Sequence, residues 1–150
     1  MKATINRLSR LTRNRALGLL LIRLATGLVF LMHGWMKISN LSGVEGMFTH
    51  MGLGGPTGIF IAYLEVIGGI CLILGIFTRV FGVAFGIEML VAIFITGGFN
   101  GYQPHELELY LMLVSFGIAL AGSGSYSLWK MECDLCGGML CRADMDCPGR

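Results

Sequence analysis

Four apolar runs dominate this chain, and three of them are interrupted by one charged residue each. The first, from about Ala16 to Met36, carries Arg23. The second, Gly58 to Thr78, carries Glu65, and the third, Val80 to Thr96, is shorter and carries Glu88. The fourth is the weakest, since Leu109 to Gly122 gives only 14 residues free of charge. A membrane-crossing helix needs about 20 predominantly apolar residues. Extending the fourth run through Leu107 and Glu108 and on to Trp129 reaches that length. The composition agrees: 13% of residues are charged, against roughly 25% in an average soluble domain, and the mean hydropathy is +0.74. The expected fold class is therefore all-α, an integral membrane four-helix bundle forming one compact domain. No nucleic-acid partner is expected, because the one dense group of basic residues is an arm directly before a membrane span.

The connections constrain the bundle. Only Arg79 and its neighbours separate the second and third runs, which predicts a tight antiparallel hairpin. The segment Ser39 to Thr57 is rich in Gly and reads as a loop over the mouth of the bundle. Gly97 to His105 carries Gly, Asn and Pro, residues suited to a turn. Small residues let membrane helices approach closely where lipid offers no hydrophobic drive. Gly82 with Gly86, and Gly117 with Ala121, have the small-xxx-small spacing, and Gly68, Gly69 and Gly75 add close-approach points in the second run.

With four spans, the N-terminus, the Arg79 turn and the C-terminal tail fall on one side. That side holds Lys2, Arg7, Arg10, Arg13, Arg15, Arg79, Lys130, Arg142 and Arg150, whereas the other holds Lys37. The imbalance places both termini in the cytoplasm and the chain in the inner (cytoplasmic) membrane. A cleaved signal peptide is disfavoured, because the first run is too long, contains Arg23 and lacks a clear small-residue cleavage site. Residues 1–15 read as a basic cytoplasmic arm, either disordered or lying on the leaflet. Its Ile5, Leu8 and Leu11 alternate with Arg7, Arg10 and Arg13. Residues 16–129 form the membrane domain, and 130–150 a Cys-rich tail.

Ionisable groups inside a membrane are costly and call for partners. Depth counted along the helices at about 1.5 Å per residue puts Arg23 and Glu88 at a similar level, roughly 10 and 13 Å from the cytoplasmic face. Arg23–Glu88 is the expected pair. Glu65 falls nearer the outer face, at the level of His33 with Lys37 above it, so a second cluster of Glu65, His33 and Lys37 is expected. Arg23, Gly27, Phe30, Gly34 and Lys37 recur at steps of four and three and define one face of the first helix. These charges either fix helix register or serve proton transfer or the binding of a ligand headgroup. His50 and His105 read as solvated loop residues, and Cys71 as a small buried hydrophobe.

The combination His33-Gly34-x2-Lys37, Leu64-Glu65-x2-Gly68-Gly69 and Thr78-Arg79 resembles the DoxX family of small membrane proteins. Arg23, Gly27 and Phe30 before it, Gly54 and Pro56 ahead of the second motif, and Glu88-Met89 in the third span fit the same pattern. The resemblance extends over about residues 16–128. It implies a four-helix membrane fold and an association with redox chemistry, since some relatives are quinone-linked thiosulfate oxidoreductase subunits or partners of thiol-oxidant defence enzymes. After the fourth span this chain departs from the family: Gly122-Ser123-Gly124 stands where Gly-Pro-Gly and a basic residue are usual.

The tail lies beyond the resemblance. Cys133, Cys136, Cys141 and Cys147 are spaced C-x2-C-x4-C-x5-C, similar to a zinc knuckle with Cys in place of His and one residue more. Four thiolates so close together can close a tetrahedral zinc or iron site that folds when metal binds. A thiol redox role for Cys133 and Cys136 is the alternative, and structural disulfides are disfavoured in the cytoplasm. The sequence thus leads to two expectations. The first is an accessory or membrane subunit of a quinone-linked or thiol/sulfur redox system, with a redox protein partner at the cytoplasmic face. The second is a non-enzymatic scaffold or small-solute binder whose tail docks a cytoplasmic partner. Oligomeric state stays open under either.

Overall fold

The computed structural model describes residues 15–96, 105–124 and 126–128. The basic arm before residue 15, the turn at 97–104 and the four tail cysteines Cys133, Cys136, Cys141 and Cys147 lie outside the described residues. Within them the regular elements are all helices: α1 (Arg15–Ser39), α2 (Leu41–His50), α3 (Gly55–Leu74), α4 (Thr78–Ile95) and α5 (Glu106–Ala121). Three helices, α1, α3 and α4, are long and apolar enough to cross a membrane. Large apolar side chains such as Leu28, Met32, Trp35, Phe60, Ile67 and Phe94 point outward. A surface of that kind is stable only against lipid or another apolar partner.

Helices α1 and α3 run antiparallel in very close contact. A Cβ on Gly69 would stand 2.7 Å from the Gly27 carbonyl oxygen, and one on Gly27 would stand 2.8 Å from that of Gly69. Only two facing glycines allow this approach, which is the close packing that membrane helices exploit. Further along, Gly34 lies against Glu65 and Val66. The second close pair is α4 with α5, where Gly82 meets the backbone at Ser115 and Ala119, and Gly86 meets the Phe116 ring. Gly117, by contrast, has open space around it, and Ala121 is exposed. The expected Gly117–Ala121 contact is therefore not made within the described residues, because that face of α5 turns away from α4.

The two close pairs are joined through the core. Phe30 of α1 stacks on Phe85 of α4 with ring centroids 3.7 Å apart and planes 8° from parallel. Around them lie Leu72, Met89, Leu111 and Ile118. The α3–α4 hairpin is as tight as the sequence predicts. Gly75 takes a left-handed conformation (φ 75°), its N–H donates to the Leu72 carbonyl and that of Ile76 to the Cys71 carbonyl. This is the bonding that closes a helix on a left-handed glycine.

Two segments differ from expectation. Residues 41–50 form a helix rather than an open loop. The Asn40 side chain caps it by accepting from the Gly43 N–H at 3.2 Å, and Val44 and Phe48 bury themselves over Gly58. Gly-rich composition masked that short amphipathic period. At the other end, α5 stops at Ala121 instead of continuing to Trp129. Gly122 and Gly124 adopt φ values of 80° and 70°, outside the helical range, and the chain then crosses to α3, where the Leu128 N–H bonds the Leu74 carbonyl.

Candidate functional site

The inward face of α1 sets out two polar centres at different heights. Arg23, Gly27, Phe30 and Gly34 are all buried and Lys37 is partly so, as the stripe predicts. Gly34, one turn below Lys37, lets α3 approach at Glu65 and Val66. Helix side chains lean toward the N-terminus, so the Lys37 stem reaches back over Gly34 into the bundle.

There the Lys37 ammonium meets two carboxylates. Its Nζ stands 2.6 Å from Glu65 Oε1 and 4.0 Å from Glu88 Oε1. Glu65 and Glu88 are almost sealed, with side chains 1% and 7% exposed, whereas Lys37 is 26% exposed. The triad thus unites α1, α3 and α4 around one cation. The second oxygen of each carboxylate, Glu65 Oε2 and Glu88 Oε2, is buried without a hydrogen-bond partner among the described residues. A buried acceptor left this way is costly and asks for a donor.

Arg23 belongs to a separate centre. It is 1% exposed, and its guanidinium is surrounded by backbone carbonyls. Nε donates to Leu72 O at 3.0 Å, and Nη2 to Tyr126 O at 3.1 Å and to Ile73 O at 3.5 Å. Nη1 donates to Ser123 O. Two of the carbonyl acceptors of this cage, Leu72 and Ile73, belong to the last turn of α3, whose carbonyls lack the regular bond to an N–H four residues on. The helix dipole adds partial negative charge at such an end. Arg23 therefore satisfies carbonyls at the C-terminal end of α3 and in the chain that follows α5. Gly75 is shaped to the same purpose, since a Cβ there would stand 2.6 Å from Arg23 Nη2.

The expected Arg23–Glu88 pair is thus replaced, and for a geometric reason. Arg23 lies level with the last turn of α3, whereas Glu88 is ten residues into α4, about 15 Å of helical rise from its start. The Glu65 cluster keeps Lys37, gains Glu88 and excludes His33. His33 is adjacent to the inward stripe and emerges exposed. One signal for Glu88 is present in the sequence. Glu65 lies 11 residues before Ile76 and Glu88 lies 11 residues after Phe77, so a hairpin turning between Ile76 and Phe77 sets them side by side.

Other residues also changed place. His105, read as a solvated loop residue, is buried at the start of α5 with Nδ1 3.5 Å from Thr96 Oγ1, whereas His50 is exposed. Cys71 is only partly buried. On the outer wall, a groove of 260 Å³ between α1 and α5 is lined by Leu21, Ile22, Ala25, Val29 and Leu111, with Thr26 and Tyr110 as its polar members.

Comparison with known proteins gives a consistent picture. A protein of Bacillus subtilis (strain 168) named "Putative oxidoreductase CatD" is 34% identical over 110 residues, covering 71% of this chain and 81% of that protein. An uncharacterized protein of Haemophilus influenzae is 27% identical over 132 residues, covering 81% of this chain and 95% of its own length. No solved structure matches the chain. The DoxX family profile matches residues 18–98, the stretch that contains Arg23 with the α3 carbonyls it holds, the glycine crossing of α1 with α3, and the whole Lys37–Glu65–Glu88 triad. This multi-pass membrane chain belongs to the DoxX family.

Proposed function

We propose that this protein is a membrane subunit of a redox system acting on a quinone or on a thiol or sulfur compound. The observation that carries the reading is the triad. Three ionisable side chains from three helices meet inside the bundle, two of them with an unbonded carboxylate oxygen. Ionisable groups that meet in the interior of a membrane bundle are functional-site candidates by default. The name of the Bacillus subtilis relative, an oxidoreductase, points in the same direction.

The reading carries a topology. α5 packs antiparallel to α4, with Gly82 beside Ala119 and Thr96 beside His105, so it serves as a fourth crossing. At 16 residues it rises about 24 Å, and the segment after it closes over Arg23. Both termini then lie on one side, which the distribution of Lys and Arg assigns to the cytoplasm of a cell's inner membrane. Cys133, Cys136, Cys141 and Cys147 would hold zinc or iron there, beside a redox protein partner. A quinone would enter from the bilayer, and the α1–α5 groove offers its ring an apolar wall with the hydroxyls of Thr26 and Tyr110.

The test is reduction of a soluble quinone analogue by a thiol or sulfur donor with the purified protein, alone and with proteins encoded beside it. Turnover that falls with Glu65→Gln or Glu88→Gln supports the proposal, and absence of turnover in every combination overturns it. A second reading, a non-enzymatic scaffold or small-solute binder docking a cytoplasmic partner through the tail, draws on Arg23. That charge is committed to tying α1, α3 and the chain after α5 together, and so serves the fold.

A further inference from the structure

We propose that the Lys37–Glu65–Glu88 triad binds one exchangeable proton, taken up from the side of the bundle on which Lys37 is exposed. The inference concerns the site named in the proposed function, but it requires no redox activity. Its basis is charge and geometry. One ammonium stands 2.6 and 4.0 Å from the two carboxylates. With all three groups ionised, the cluster carries one uncompensated negative charge among apolar helices, a costly arrangement.

Among the described residues, Lys37 is the cation that forms ion pairs with the two carboxylates. Among the described residues, the charged groups recorded against Glu88 are Glu65 of α3 and Lys37 of α1. α5 packs on α4 through Phe116 at Gly86 and so brings apolar Leu111, Met112 and Val114 toward this height. Its Glu106 and Glu108 lie toward the His105 end, and α2 places Glu45 over Gly55, ten residues from Glu65. His33 faces outward.

Lys37 also draws the two carboxyl groups together, since Oε1 of each lies within 4.0 Å of its Nζ. Two ionised carboxylates are acceptors only and cannot bond. One proton converts either of them to a donor, neutralises the cluster and removes the repulsion between like charges. It also gives the unbonded Oε2 atoms a chemical role, because a carboxyl proton can reside on either oxygen. No bond other than O–H forms or breaks. A proton needs no cavity, and its route is defined by exposure: Glu65 and Glu88 are sealed, and Lys37 is the member that reaches the outside.

Infrared difference spectroscopy on the full chain in lipid nanodiscs tests this directly. At neutral pH the wild-type protein should show the C=O stretch of one protonated carboxyl group, shifted by exchange into D2O. Glu65→Gln and Glu88→Gln should each abolish it, since one carboxylate balances Lys37 without a proton. Lys37→Met should increase it to two. Absence of the band from the wild type overturns the proposal without recourse to any variant, and so does a band unchanged in both Gln variants. If the band is present and quinone reduction is not, the redox reading fails and the proton site stands. The converse result removes the proton site alone.

Discussion

Arg23 is bonded through Nε to the carbonyl oxygen of Leu72, 3.0 Å away, and a carbonyl cage takes the place of the carboxylate its charge was expected to need. The guanidinium fork suits this role because its donors spread in one plane. It links the inner face of α1 to the end of α3 and to the Ser123 and Tyr126 carbonyls beyond α5.

Arg23→Leu should consequently destabilise the bundle by about 3 kcal/mol or more, since hydrogen bonds to a charged group contribute about 1.5–3 kcal/mol each. Arg23→Lys should recover part of the loss, because an ammonium keeps the charge but cannot span the cage. Denaturant titration of helix content in mild detergent measures both. A variant as stable as wild type would remove Arg23 from its structural role.

Gly69→Val should separate α1 from α3. The added Cβ would lie 2.7 Å from backbone oxygen at Gly27, and neither helix can yield without shifting the other. Overpacking of this kind costs about 1–3 kcal/mol. Gly117→Ala is the contrasting substitution: its Cβ enters open space, and a helical Gly to Ala change gains up to about 1 kcal/mol. Melting temperatures should move in opposite directions.

Lys37→Met should be more damaging than the double change Lys37→Met with Glu65→Gln. Removing one partner of a buried ion pair costs up to about 3–5 kcal/mol, here lessened because the abandoned carboxylate takes up a proton, whereas removing both can be close to neutral. A double-mutant cycle of unfolding free energies checks the order. Single losses that add up to the loss of the double variant would mean that the pair at 2.6 Å is not energetically coupled.

The tail makes a prediction of composition rather than stability. Protein purified under reducing conditions should carry about one zinc or iron per chain, since four thiolates complete one tetrahedral site. Replacing Cys133 and Cys136 with Ser should release it, and elemental analysis reads the stoichiometry. Metal-free wild type would leave thiol chemistry as the tail's role.

The inward stripe of α1 could be read from the order of residues, because spacings of three and four select one helix face wherever the helix is placed. Arg23, Gly27, Phe30 and Gly34 are buried for that reason. The tight α3–α4 hairpin was equally legible from the few residues between the two apolar runs, although the reversal falls at Gly75–Phe77 and Arg79 lies in the first turn of α4. The level of Glu65 with Glu88 was implicit there too, since both are equally far from the turn. Depth counted separately from each helix end obscured it.

The partners of the charges were a different matter. Arg23 found carbonyls because α3 ends beside it and α5 stops at Gly122, a boundary set by left-handed glycines that an apolar count passes over. Lys37 found Glu65 because Gly34 lets α3 close in at Glu65 and Val66, and Glu88 because the α3–α4 hairpin sets the two carboxylates level. His33, one position from Gly34, was carried outward by the same rotation that buries its neighbour. A linear pattern assigns residues to faces, since each face depends on one helix alone. Which faces meet, and at what height, depends on how closely glycines let two helices approach and where each one ends.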